Sequence, residues 1–193
     1  MKRFLLILLT AVLPVGYSSA AQPDPNSTPL SYSDVTYLIQ RIAGNWYVDK
    51  STWHPEIKKM TGMAGTAIHQ PASDIIMHEQ LEISEDDGTS YIEEGTLRYS
   101  MDRNQFEFVK LDPATGKELT LYTGHYYPEF KTILLTGEVL LKKRKAKIGQ
   151  HRYIFLDNGS FIKIIHYTDK KGDLHMGHRY HYTPAGSVAS ELQ

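Results

Sequence analysis

Beyond residue 31 the chain shows one stretch of apolar positions at helical spacing, followed by a long succession of stretches with period two. Val35, Leu38, Ile39 and Ile42 fall at i, i+3, i+4 and i+7, which predicts a short amphipathic helix over residues 34–42. Ser33 or Asp34 is placed to cap its start, and Ala43-Gly44 closes it. From Asn45 the alternation changes: Trp46, Val48 and then Trp53 mark a strand. Residues 54–65 hold Pro55, Gly62 and Gly65 and read as an irregular crossover or lid.

Short alternating stretches follow at regular intervals. They predict strands over residues 75–83, 89–99, 104–111, 118–123, 133–135, 138–147, 152–156, 161–167 and 174–182. Turn residues punctuate them, among them Glu85-Asp86-Asp87-Gly88, where glycine supplies a positive φ, and Asp157-Asn158-Gly159. No second long helix is predicted. The expected fold is all-β, an antiparallel meander of about nine or ten strands closed into a barrel behind one short N-terminal helix, with an open sandwich as the rival.

The ends of the chain read differently from its middle. Lys2 and Arg3, the apolar run 4–9 and small residues at 18–21 have the layout of a secretory signal peptide over residues 1–21, cleaved near Ala20 or Ala21. Pro14 and Gly16 interrupt the segment well short of the roughly 20 apolar residues that span a bilayer. Residues 22–31 carry three prolines among polar residues and read as a flexible linker, 32–185 as the barrel domain, and 186–193 as a disordered tail. The expected location is periplasmic or secreted. Removing Lys2 and Arg3 leaves 19 basic residues against 22 acidic ones, so no global charge favours nucleic acid. The absence of cysteine excludes disulfides and thiol chemistry.

Gly44-Asn45-Trp46 directly after the helix resembles the Gly-x-Trp signature of the calycins, the lipocalins and fatty-acid-binding proteins, in which the tryptophan plugs one end of the barrel. With Gly95-Thr96-Leu97-Arg98-Tyr99, Asp112-Pro113-Ala114-Thr115-Gly116 and a glycine-centred hairpin at Leu135-Thr136-Gly137-Glu138, the chain resembles the bacterial domain of unknown function 1579 family over residues 42–182. The resemblance implies a calycin-like barrel with Gly44 and Trp46 in structural roles and an arginine, Arg179 or Arg98, beside the tryptophan ring. It implies no established activity. Arg179-Tyr180-His181 departs from the Arg-x-Tyr pair with which fatty-acid-binding proteins hold a carboxylate.

Nine histidines invite a metal reading, but a strand places His175 and His181 on one face and His178 on the other, so this segment alone makes a poor site. Neither a metal nor a cofactor is expected. Lys142, Lys143, Arg144, Lys145 and Lys147 alternate between faces and read as a solvated hairpin, with contact to an anionic envelope surface as the functional alternative. No Gly-x-Ser-x-Gly elbow, phosphate loop or His-Glu-x-x-His helix is present.

One pattern points to a site. Across the hairpin 75–99 the apolar residues Ile75, Met77, Leu81, Ile83, Leu97 and Tyr99 are all odd-numbered, and so are Glu79 and Glu93. Two carboxylates are therefore expected on the inward face, with strand pairs summing to 172 or 174. Sharing a partly dry interior, they should push one carboxyl pKa upward, unless a cation neutralises them. Glu79, Glu93, Tyr91, Tyr99, Phe106, Phe108 and His166 form the candidate ligand-binding set. The expected function is an exported barrel binding a small, partly apolar ligand. The rivals are a barrel enzyme working through interior Glu, His and Tyr, and an envelope interaction protein with no ligand.

Overall fold

A computed structural model describes residues 29–54, 57–85, 88–111, 115–140, 146–169 and 172–186. The helix α1 (Tyr32–Ile42) is followed by ten strands: β1 (Gly44–His54), β2 (Lys59–Ser73), β3 (Ile76–Ser84), β4 (Ser90–Ser100), β5 (Gln105–Leu111), β6 (Glu118–Tyr127), β7 (Thr132–Leu140), β8 (Ala146–Phe155), β9 (Phe161–Thr168) and β10 (Leu174–Pro184). Each strand pairs antiparallel with the next, and β1 pairs with β10 to close the barrel.

Sequence and structure agree on a meander barrel with one helix, and differ in four places. The helix begins two residues early: Ser31, not Ser33 or Asp34, is the N-cap. Ser31 and Asp34 form a capping box, in which the serine oxygen accepts from the Asp34 amide and the Asp34 carboxylate accepts from the Ser31 amide. The expected crossover over 54–65 is instead the hairpin joining β1 to β2, paired from Gly44↔His69 to His54↔Lys59. The expected break at Gly137 does not exist, because Gly137 lies inside β7 facing Gly149 of β8. A bulge between Met176 and His178 breaks the alternation of β10. His175 is thereby paired with Tyr167 and His178 with Ile165, both on the inward-facing set of β9, so the expected opposition of His175 and His178 is lost.

One end of the barrel is closed. Val35, Leu38, Ile39 and Ile42 on the apolar stripe of α1 are buried against the first turns of the strands, where Trp46, Tyr99, Phe106, Phe155, Phe161 and Tyr182 make an aromatic floor. Trp46 packs edge-on to Phe161 at 4.9 Å and to Tyr182 at 6.4 Å, and donates its indole N–H to the Ile42 carbonyl at 3.0 Å. The expected arginine is not there. Arg179 is on the outward, exposed face of β10 and Arg98 is paired with Glu107 and Glu118, while His69 occupies the position beside the tryptophan ring, 6.4 Å away.

The hairpin between β3 and β4 adopts the register summing to 174, with Leu81 opposite Glu93 and Glu79 opposite Gly95. Gly88, at φ 83°, and the Gly88 amide bond to the Glu85 carbonyl at 3.0 Å set that register.

Candidate functional site

Inward-facing positions change character along the barrel. Above the aromatic floor, β1 contributes Lys50 after Trp46 and Val48, β2 contributes His69, β3 Glu79, β4 Glu93, β8 His151 and Tyr153, β9 Lys163 and β10 Tyr180. Strand alternation forces these polar side chains inward, because each stands two residues from an apolar core residue on the same strand.

Burying ions without partners costs several kcal/mol each, so the interior compensates them individually. The Lys163 ammonium meets the Glu79 carboxylate at 2.6 Å, Tyr153 donates its hydroxyl to the same carboxylate at 3.0 Å, and the cation sits 4.7 Å from the Phe108 ring centre. Lys50 donates to Glu93 at 2.9 Å and to the Tyr91 hydroxyl at 2.6 Å, and Tyr180 donates to Glu93 at 3.2 Å. The two carboxylates are thus held by separate cations. Burial pushes each carboxyl upward, but the bound lysines and tyrosines outweigh it and hold both below the ordinary range. The expectation that repulsion would raise one of them is corrected: neutralisation by lysine is what the barrel uses.

Two histidines complete the interior. His69 is buried at the floor, and its Nδ1 donates to the Ile42 carbonyl at 3.0 Å, which leaves Nε2 with a lone pair and no partner. His151 is 5% exposed, stacks on Tyr122 with ring centres 3.9 Å apart and lies 5.2 Å from Phe108. Its Nδ1 has no hydrogen-bond partner. Burial keeps both imidazoles neutral, His151 most strongly, with Lys163 and Lys110 adding to the effect. Burial also pushes the Tyr122 hydroxyl up to about 12.

Inside the barrel lies a cavity of about 270 Å³, lined by His69, Glu79, Glu93, Phe108, Tyr122 and His151 among others. Of the expected set, Glu79, Glu93 and Phe108 line it. Tyr91 is outside the lining and accepts a hydrogen bond from Lys50, the partner of Glu93. Tyr99 and Phe106 pack edge-to-face at 4.9 Å within the core, outside the cavity lining. His166 is excluded by parity: the inward residues of β9 are Phe161, Lys163, Ile165 and Tyr167, so His166 faces outward between Gln150 and Met176.

Lys50, Lys163, His69 and His151 were not expected in the site. A signal for each exists in the sequence, since Lys163 lies between Phe161 and Ile165, and His151 begins the run His151, Tyr153, Phe155. The cationic stretch at 142–145 lies outside the described residues, and of the Lys147 side chain nothing is described.

A crystal structure of Rv2717c from M. tuberculosis matches the chain with a TM-score of 0.53 at 13% identity, covering 78% of this chain and 96% of that one. A structure of EF1p2_mFAP2b bound to DFHBI matches with a TM-score of 0.40 at 15% identity, covering 78% of this chain and 98% of that one. No protein-family profile and no curated protein matches the chain. The first likeness, with the strand order, supports a calycin-like barrel and speaks to fold alone.

Proposed function

We propose that this calycin-like barrel binds a small, electrically neutral, partly aromatic molecule in its interior, and that it does so after export from the cytoplasm. The reading rests chiefly on one observation: the cavity lining holds two buried imidazole nitrogens, His69 Nε2 and His151 Nδ1, without partners, while the ions of the barrel interior, Glu79, Glu93, Lys50 and Lys163, are already paired with one another and the remaining charged groups of the lining, Glu94 and Lys110, are exposed. An unpaired buried polar atom is costly, and a ligand that bonds it recovers that cost. A charged group reaching the buried part of the cavity would have to break an existing pair, whereas a neutral ring carrying a hydroxyl or amide can stack beside Tyr122 and satisfy an imidazole.

An enzyme acting through the two glutamates is the weaker reading, because each carboxylate is ionised and bound by a lysine and a tyrosine. Export is inferred from residues 1–21, and kinship with the domain of unknown function 1579 family from the Gly44-x-Trp46 and Gly95–Tyr99 landmarks. Native mass spectrometry of the protein purified from its own source tests the binding reading. A non-covalent adduct is expected that is absent from His151→Phe; a bare mature mass in both would count against it. N-terminal sequencing tests export, with Ala21 or Gln22 expected as the first residue.

A further inference from the structure

Among the described residues the ladder between β4 and β5 is shorter than the one between β3 and β4. β4 pairs with β3 from Ser90 to Arg98, but with β5 only from Thr96↔Val109 to Ser100↔Gln105. Continued further, the register would set Gly95 against Lys110 and Glu94 against Leu111, and neither pair is formed. β5 meanwhile stays paired with β6 throughout, from Phe106↔Gly124 to Leu111↔Glu118, with a register shift between Phe108 and Val109.

The seam joins two spaces. On the outer face of β2 to β5 lies a groove of about 570 Å³ whose apolar lining comes from Ile68, Ile76 and Val109. Glu79, Glu94, Gly95 and Lys110 line both this groove and the interior cavity. Glycine at 95 keeps the junction thin: a Cβ there would lie 2.3 Å from Cζ of Phe108, whose ring faces the cavity. Ile68 is half exposed in this structure, an apolar surface with nothing to bury it.

We propose that the ligand is an elongated amphiphile whose neutral ring occupies the cavity and whose aliphatic tail leaves sideways through the β4–β5 seam to lie on Ile68 and Ile76. This rests on the interior-binding reading and extends it. The cavity of about 270 Å³ holds a substituted ring but little more, and the groove that shares its wall offers the apolar surface of Ile68, Ile76 and Val109 beyond it. The ring end must bond an imidazole nitrogen of either tautomer at His151, and a hydroxyl does so because it both donates and accepts.

The probe series is phenol, 4-butylphenol and 4-heptylphenol, titrated calorimetrically into the mature chain. Phenol should bind, and affinity should rise about three- to fourfold for each methylene that becomes buried. In Ile68→Asn/Ile76→Asn, altered only on the outer face, phenol should bind as before while the chain-length gain collapses. In Ile92→Asn, an exposed apolar position on the same face outside the groove, the gain should persist. On the unaltered protein, nuclear Overhauser contacts should join the heptyl methyl to Ile76, which gives an answer even if the double variant fails to fold. Phenol binding with a flat series, or a gain unaffected by the double variant, would overturn the seam and leave the cavity reading standing. No binding by any member would overturn both.

Discussion

Lys163 on β9 and Glu79 on β3 meet at 2.6 Å inside the barrel, both nearly closed off from solvent, and join two strands that share no backbone pairing. The contact is a strut across the barrel lumen. Its removal from one side leaves an unpaired ion in a dry interior.

Glu79→Gln and Lys163→Met should therefore each destabilise the fold by about 3–5 kcal/mol. The double variant should lose clearly less than the sum, since neither ion is left alone. Guanidinium denaturation of the four proteins measures both quantities. A Glu79→Gln protein as stable as its parent would show that the pair contributes nothing.

Stability should fall in two steps with decreasing pH. His69 and His151 have folded pKa values below the unfolded value of about 6.5, so their contribution is complete above that pH and drains away as pH falls toward the folded values. Glu79 and Glu93 are likewise depressed, and their contribution is lost only below about 4.3. Urea midpoints should be level from about pH 8 to 7, decline below about 6.5 and decline further below about 4.3. His151→Phe should reduce the first decline, leaving the part due to His69, and leave the second in place.

Trp46→Ala should cost about 3–5 kcal/mol, the usual range for emptying a buried aromatic site. Trp46→Phe should cost less, since the Ile42 carbonyl keeps its second donor, His69 Nδ1. Thermal melts that place Trp46→Ala beside the parent would mean that the tryptophan does not seal the barrel.

Gly124→Ala offers a sharp test of the β6–β7 spacing. The added Cβ would lie less than 2 Å from the Leu134 carbonyl oxygen on β7, an overlap with backbone that no rotamer relieves. A loss of about 3 kcal/mol or more is expected by the same denaturation assay, toward the upper end for overpacking. Gly88→Asn, where nothing lies within 4 Å of the new Cβ, should cost clearly less, only the strain of a side chain at φ 83°, which asparagine tolerates better than most residues.

The helix, the meander and the inward face of β3 and β4 were legible because large apolar residues mark those periods clearly. β2 was not, because its inward positions include Met63, Gly65, Ala67 and His69, and small residues imitate a loop. Gly65 is in fact demanded by packing: a Cβ there would sit 2.3 Å from the Glu82 carbonyl oxygen. The orientation along β10 failed at Gly177, where one extra residue at a bulge exchanges the two faces. In the site, the glutamates were found by parity and their lysines were missed. Lys163 lies 84 residues from Glu79, and no local pattern encodes such a partner.

That the barrel closes between β1 and β10 fixes the order in which the chain can mature. The hairpins β1–β2 and β3–β4 need only neighbouring residues and can form early, but the ladder from Trp46↔Pro184 to Thr52↔His178 joins strands more than 100 residues apart and waits for β10. A polypeptide that stops short of residue 174 would keep the raw edges of β1 and β9, two templates for pairing with other molecules. Loss of β10 therefore yields an aggregation-prone open sheet, not a smaller working domain, and the barrel cannot close before residues 174–184 have been made.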